Sequence, residues 1–163
     1  MDEFATLLLQ PDDWALWRLI RLRSLAADPE AFGSTFEREV VLDEAGWRAS
    51  LGTGGPRVVV VAGIEPVALG GGFVEDAEDG QHLHVIAMWT DPAYRGRRLA
   101  ARVLDALVEW AAPRGLGLVL DVAIGNSPAR HAYEAYGFAG TPTTRPIRDG
   151  SSALVEQMVL RRG

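Results

Sequence analysis

The sequence contains neither cysteine nor lysine, and each absence excludes a class of chemistry. Without cysteine there is no disulfide, no thiolate metal site and no thioester formed on the protein itself. All 16 basic residues are arginine, which excludes a Schiff-base lysine and a P-loop lysine. The glycine-rich segment at residues 52–55 is therefore not a Walker motif.

Excess positive charge and long apolar runs are also lacking. The net charge is −6 at pH 7, which argues against general binding to nucleic acid or anionic membranes, because both need a basic face. No apolar run approaches a membrane span, and the first residues lack the basic start of a signal peptide. We expect a cytoplasmic protein with one domain over residues 1–163 and no nucleic-acid or membrane partner.

Apolar spacing and turn signals predict seven strands and four helices. Hairpins come first and crossover connections surround the last two helices, which predicts an α/β protein with a mixed sheet and helices on both faces. The strands are expected at residues 6–9, 57–62, 67–74, 82–90, 116–124, 138–142 and 153–160. The helices are expected between residues 12 and 28, over 34–51 with an irregularity from Gly46, over 99–112, and over 128–136.

Two short segments between these elements carry specific expectations. Three consecutive glycines, Gly70 to Gly72, lie inside a strand, which predicts a bulge or the close approach of another backbone. The acidic segment from Glu75 to Gly80 is expected to be a solvated loop.

The most informative stretch runs from Ile86 to Ala101. A buried strand stops at Asp91-Pro92 and turns into a helix, and the turn carries Arg95, Gly96, Arg97 and Arg98. Arginine at a helix start opposes the helix dipole, so these residues cost stability unless an anion lies among them. The pattern therefore favours a pyrophosphate site over an exposed basic loop.

Two motifs carry a resemblance to a known family. Residues Arg95 to Ala100, after the strand end Thr90-Asp91-Pro92, resemble the Q/R-x-x-G-x-G/A signature of the GCN5-related N-acetyltransferases (GNAT). Arg98 stands where that signature prefers glycine. The segment from Asn126 to Phe138 resembles the family's N-x-x-A-x-x-x-Y-x-x-x-G-F motif.

The resemblance implies the acyl-CoA N-acyltransferase fold, which some schemes class as α+β. This is a single mixed, mostly antiparallel sheet of six to seven strands, with two central strands splayed at Thr90 and near Ile124. Acetyl-CoA would lie in the gap as acyl donor, and no metal is expected. The implied cofactor-binding residues are Met88, Trp89, Thr90, Arg95, Gly96, Arg97, Arg98, Leu99, Ala100, Ala101, Asn126 and Tyr133.

Direct attack of an amine on the thioester needs an acid for the thiolate and a base for the amine. Tyr133, at the family's tyrosine position, is the expected acid, although it could instead be a core tyrosine with its hydroxyl at the rim, as we expect for Tyr136. His84 and Asp121 are both candidate bases, and each could equally be a structural residue. His82 shares a face with His84 but lies farther from the expected chemistry.

The sequence allows three hypotheses about the function of the bound acetyl-CoA and its acceptor. The first is a primary amine of a small molecule, the second is a protein N-terminus of the ribosomal-protein type, and the third is a non-catalytic acetyl-CoA-binding module. Acidic residues between positions 29 and 47 would favour a cationic amine, or simply form a solubilising surface. These residues are Glu37, Glu39, Asp43 and Glu44. Edge strands of such a sheet often pair, so a homodimer is also expected.

Overall fold

A computed structural model describes residues 3–52 and 54–160, so Thr53 of the glycine-rich segment and both chain ends lie outside the described residues. Seven strands form one sheet in the order β1-β2-β3-β4-β5-β7-β6. The strands are β1 Phe4–Leu8, β2 Arg57–Ala62, β3 Glu65–Ala77, β4 Gly80–Thr90, β5 Gly117–Ala123, β6 Phe138–Pro146 and β7 Leu154–Leu160, and the helices are α1 Trp14–Ala27, α2 Phe36–Val40, α3 Glu44–Gly52, α4 Leu99–Ala111 and α5 Ser127–Tyr136.

The sheet is mixed and mostly antiparallel, as the sequence predicted. Only β4 and β5 run parallel among the described strands, and α4 makes the crossover between them. The predicted order of strands along the chain is confirmed. The edges are β1 and β6, and pairing of two copies through an edge stays a prediction.

Both faces of the sheet are covered, and the valine run of β2 shows why. Val58 and Val60 pack with α4 in one core, whereas Val59 and Val61 pack with α1 and α3 in the other. Successive side chains of a strand point to opposite faces, so a continuous apolar run fits a strand that is buried on both sides. No helix within residues 3–52 and 54–160 is both long and apolar enough to cross a membrane.

The helix expected over residues 34–51 is instead two helices, and the break precedes Gly46 rather than following it. Each helix has its own N-terminal cap: the Thr35 hydroxyl accepts a hydrogen bond from the Arg38 amide, and Asp43 Oδ1 accepts one from the Gly46 amide. A side chain that caps a helix start satisfies amides that have no helical partner. The cap at Asp43 therefore starts a new helix.

The acidic segment is also different from the expectation, because its first half is strand rather than solvated loop. β3 continues through Glu75 to Ala77 and pairs with the start of β4 at Gly80. Gly80 has a φ of 125°, a conformation that glycine adopts readily. The hairpin turn is therefore shorter than predicted, and Glu75 faces β4.

The glycine run of β3 lies opposite a bulge in β4, as predicted. The β3–β4 register shifts between Leu69 and Gly71, and Ala87 on the facing strand has a φ of 64°. A Cβ atom on Gly70 would lie 2.5 Å from Met88 Sδ and 2.5 Å from Val103 Cγ1. Glycine at position 70 thus lets the bulge and α4 approach the sheet.

Candidate active site

A gap opens between the two parallel strands in the middle of the sheet. Their pairing ends at Val85 and Leu120, although β4 continues to Thr90 and β5 to Ala123. The bulge at Ala87 lies just beyond the last pair and redirects β4. The gap is a cavity of about 110 Å³ whose lining comes from both strands, from α5 and from the segment after α1, and includes Ala31, Phe32, Met88, Asp121, Asn126, Ala129 and Tyr133.

The N-terminus of α4, which follows β4 after a short turn, offers backbone donors. Its first helical hydrogen bond runs from the Arg102 amide to the Arg98 carbonyl at 3.3 Å, so the amides of Leu99, Ala100 and Ala101 have no partner within the helix. Arg98 occupies the cap position, and its side chain makes no capping hydrogen bond to the described residues. Such a terminus favours an anion.

Arg98 stands where the signature prefers glycine, and its backbone adopts the conformation that glycine favours. Its φ is 61° and its ψ is 30°, in the left-handed region. Gly96, two residues earlier, also has a positive φ of 83°. The turn therefore has the shape that the family signature implies, with the strain of one arginine in a left-handed conformation.

Two of the turn's arginines contact the protein rather than the helix N-terminus. Arg95 donates from Nε to the Thr90 carbonyl at 3.0 Å and from Nη2 to Asp28 at 3.2 Å. Asp28 also accepts a hydrogen bond of 2.6 Å from Trp89 Nε1. Arg95 and Trp89 thereby tie the end of β4 to the end of α1. Arg97 pairs with Glu3 at 3.0 Å and remains half exposed.

The second motif, from Asn126 to Phe138, begins just after β5 and contains the whole of α5. The Asn126 side chain accepts a hydrogen bond from the Ala129 amide at 3.2 Å and so caps α5 at its start. Tyr133 faces the gap with its ring edge against Phe138. Burial raises the pKa of Tyr133 to about 12, so its hydroxyl is protonated at neutral pH. Tyr136 instead donates to Asp105 on α4 at 2.7 Å.

Both candidate bases belong to one network of charged side chains. His84 Nδ1 lies 2.7 Å from Glu75 Oε2, and His84 Nε2 lies 3.4 Å from Asp121 Oδ2. Asp121 also accepts a hydrogen bond from Arg145. His84 is only 4% exposed and its ring stacks on Phe73 with 5.1 Å between ring centroids.

This network changes the proton affinity of both groups. Burial lowers the pKa of His84, but hydrogen bonds and charge attraction from Asp121 and Glu75 outweigh it, so the net pKa is raised. Burial raises the pKa of Asp121, but His84 and Arg145 outweigh it and the net pKa is lowered. Asp121 is therefore an ionised carboxylate at neutral pH, and His84 binds its proton more tightly than free imidazole.

The two candidates differ in position. Asp121 lines the gap, whereas His84 lies behind it and does not. The network's third partner, Glu75, lies in the segment predicted to be a loop, and its role follows only from its place in β3. Its signal was the glycine at position 80, which allows a tight hairpin and places Glu75 opposite His82.

The segments beyond the ends of α1 and β6 meet over one side of the gap. Arg148 Nη2 donates to the carbonyls of Phe32 at 2.7 Å and Pro29 at 3.2 Å. Phe32 is buried and lines the gap. The loop between β6 and β7 and the loop after α1 are thus fastened together as one wall of the site.

Most of the acidic residues expected to attract a cationic acceptor have partners inside the protein. Glu39 makes a two-point hydrogen-bonded ion pair with Arg21 at 2.9 and 2.8 Å. Asp43 caps α3, and Glu44 pairs with Arg48 one helical turn later. These three carboxylates stabilise α2 and α3. Among the described residues, Asp121 is the carboxylate that lines the gap.

Comparison with known proteins agrees with the resemblance drawn from the two motifs. Residues 19–138 match the family model described as the acetyltransferase (GNAT) family. A comparison with curated protein sequences finds no match.

Solved structures with the same fold have low sequence identity to this chain. A GNAT-family acetyltransferase from Streptococcus pneumoniae has 18% identity and a TM-score of 0.75, covering 96% of this chain and 98% of its own. The Salmonella typhimurium protein yncA, solved with its cofactor acetyl-CoA, has 16% identity and a TM-score of 0.77, covering 98% and 94%. The ribosomal-protein-S18-alanine N-acetyltransferase from Escherichia coli has 18% identity and a TM-score of 0.64, covering 98% and 96%.

Proposed function

Because this chain belongs to the acetyltransferase (GNAT) family, we propose that it transfers the acetyl group of acetyl-CoA directly to a primary amine of a small molecule. The observation that carries the proposal is the gap between β4 and β5, together with the N-terminus of α4, which follows β4 along the chain and has no side-chain cap among the described residues. A long, partly extended donor with a pyrophosphate at one end fits that arrangement.

The gap edge of β4 would bind the pantetheine arm through its backbone. The Asp91 amide donates to the Val67 carbonyl of β3. Backbone groups alternate in direction along a strand, so Trp89 turns toward β3 while Met88 and Thr90 turn toward the gap. The Thr90 carbonyl is already bonded to Arg95, which leaves the Met88 carbonyl and the Thr90 amide as the best-placed groups for the arm.

The other end of the donor would bind at α4. The amides of Leu99, Ala100 and Ala101, with the turn at Gly96, would receive the pyrophosphate, and Arg97 and Arg98 would add positive charge. Asn126 keeps its side-chain NH₂ for the pantetheine arm, because its cap to Ala129 uses only the side-chain oxygen.

In the reaction, the amine nitrogen attacks the thioester carbonyl carbon, forming a C–N bond, and the C–S bond then breaks. The Met88 amide would donate to the oxyanion, and the Tyr133 hydroxyl would give its proton to the departing thiolate. The position of Tyr133 supports the acid role, because its side chain lines the gap between β4 and β5.

The proton lost by the amine goes to a base through water. Asp121 faces the gap, where an ionised carboxylate would also orient an incoming ammonium group. His84 lies behind Asp121 and would act through it or through water. The geometry favours Asp121 as the group nearer the acceptor, and both residues remain candidates for the base.

The second candidate function is a protein N-terminal acetyltransferase. It is favoured by Asp121, which lines the gap and whose place on β5 resembles that of an acidic residue in acetyltransferases of the ribosomal-protein type. An N-terminal amine would enter past the wall formed by Phe32 and Arg148. A third reading, a non-catalytic acetyl-CoA-binding module, predicts binding without turnover.

An acceptor screen separates these readings. The protein has no cysteine, so a thiol reagent present during turnover detects only the CoA that is released. Small primary amines and peptides with free N-termini would be tested side by side with acetyl-CoA. Turnover with small amines supports the first reading and turnover with peptides alone supports the second. Binding of acetyl-CoA with no turnover on any acceptor would contradict both.

A further inference from the structure

Three metal-ligand side chains converge on the outer part of the β3–β4 hairpin, behind the gap. His82 and His84 are two residues apart on β4, so their side chains lie on the same face of the sheet. Glu75 on β3 is paired directly with His82. One donor atom from each of the three lies within 4.8 Å of the others. None of the three lines the gap, so this cluster is distinct from the cofactor cavity.

The spacing of the donor atoms suits a small divalent cation. Glu75 places one oxygen 3.4 Å from His82 Nε2 and the other 2.7 Å from His84 Nδ1. Ligands of a tetrahedral zinc ion lie about 3.3 Å apart, given bonds of about 2.0–2.1 Å. Side-chain rotations alone would bring the three donors to that geometry, because the strands already place them.

His82 has an unsatisfied polar atom at this point. Its Nε2 is buried and makes no hydrogen bond to the described residues, although Glu75 Oε1 lies 3.4 Å away. A buried polar nitrogen without a hydrogen-bond partner destabilises the folded state. A bound cation would accept the Nε2 lone pair and remove that penalty.

His84 has the support that metal-binding histidines normally have. Its Nε2, turned away from Glu75, faces the Asp121 carboxylate at 3.4 Å. A carboxylate behind a ligating histidine fixes its tautomer, and here it would keep the proton on Nε2 and free Nδ1 for the metal. The Phe73 ring stacks on His84 at an angle of 4° and holds its orientation.

We propose that Glu75, His82 and His84 form a binding site for Zn²⁺ or a divalent transition metal of the same class. Two imidazoles and one carboxylate match the ligand set of zinc sites that keep one position for water, whereas Mg²⁺ and Ca²⁺ prefer oxygen ligands alone. The site does not depend on which acceptor the protein uses, and with a metal bound at His84 Nδ1 the base would be Asp121.

Tag-free protein treated with a chelator would be titrated with ZnCl₂ by calorimetry. The expected result is one equivalent of bound Zn²⁺, with binding weakened about tenfold or more in His82→Ala and in Glu75→Gln. The matched control is His131→Ala, because His131 is the third histidine and lies exposed on α5. It should bind Zn²⁺ as the wild type does.

Two further measurements keep the test decisive. Circular dichroism would show whether each variant folds, and Glu75→Gln, which preserves side-chain size, decides the outcome should His82→Ala unfold. Co²⁺ added to the wild-type protein should give the intense visible absorption of a tetrahedral site. No Zn²⁺ binding by the wild type, or binding lost in His131→Ala but unchanged in Glu75→Gln, would overturn the proposal.

Discussion

Gly70 and Met88 face each other across the β3–β4 pair so closely that a single methyl group would not fit between them. A Cβ on Gly70 would lie 2.5 Å from Met88 Sδ. Met88 belongs to the bulge that directs β4 away from β5, and it lines the gap. The absence of a side chain at position 70 therefore shapes the cavity as well as the core.

Gly70→Ala should destabilise the protein by about 1–3 kcal/mol, the usual effect of overpacking, because Met88 and Val103 must both move. Gly117→Ala is the matched control, since Gly117 also lies in a strand and has no atom within 4 Å of an added Cβ. Urea unfolding measures both. Equal stability of the two variants would show that the contact at Gly70 relaxes freely.

Arg98→Gly should stabilise the protein by about 1 kcal/mol relative to Arg98→Ala. Both substitutions remove the same charge from the start of α4. Only glycine also relieves the left-handed conformation, in which φ is 61°. Chemical denaturation gives the free energy of unfolding of each variant, and the difference between the two reports the backbone strain alone, because both have lost the same charge. An alanine variant as stable as the glycine variant would contradict the left-handed conformation at this position.

Tyr133→Phe should lower kcat about 100-fold or more, because the departing thiolate loses its proton donor. Binding of acetyl-CoA should be retained, since the ring still fills its place against Phe138. Tyr136→Phe is the control on the same helix, because its hydroxyl donates to Asp105 rather than facing the gap. A Tyr133→Phe variant with the activity of the wild type would remove Tyr133 from the reaction.

Tyr133 should also be visible in alkaline titration. Its pKa is raised to about 12, above the unfolded value of about 10. The folded state therefore retains a proton that the unfolded state loses, and stability falls as pH rises from about 10 through 12. With no lysine in the chain, the other side chains that ordinarily titrate near pH 10 are Tyr94 and Tyr136.

Tyrosinate absorbance and stability would be followed over this range in the wild type and in Tyr133→Phe. The variant should lack the latest tyrosinate component and lose less stability above pH 10, because the raised pKa belongs to Tyr133. Identical titration curves, apart from the overall amplitude, would mean that the hydroxyl is not buried.

Local patterns were sufficient to predict the order of the strands along the chain. The valine run predicts β2, Pro92 marks the end of β4, and Asn126 marks the start of α5, each through residues close in sequence. The glycine run of β3 likewise predicted the close approach of β4. In each case the signal and the structure lie within a few residues of each other.

The features that the sequence did not predict depend on contacts between residues far apart in the chain. The left-handed backbone of Ala87 is imposed by the facing strand and has no glycine to mark it. The fastening of Arg148 to Phe32 joins segments more than a hundred residues apart. Glu75 contacts the two histidines of β4 because the β3–β4 hairpin places it opposite His82. Pairing across strands, rather than residue type, decided these features.

The central claim is that the gap between β4 and β5 binds acetyl-CoA, and calorimetric titration with acetyl-CoA tests it most directly. Two alanines of α5 give a matched pair, because Ala129 lines the gap and Ala132 is exposed on the same helix. The account predicts one equivalent bound by the wild type and by Ala132→Trp, and no binding by a folded Ala129→Trp. Absence of binding by the wild type, or equal binding by Ala129→Trp, would contradict it.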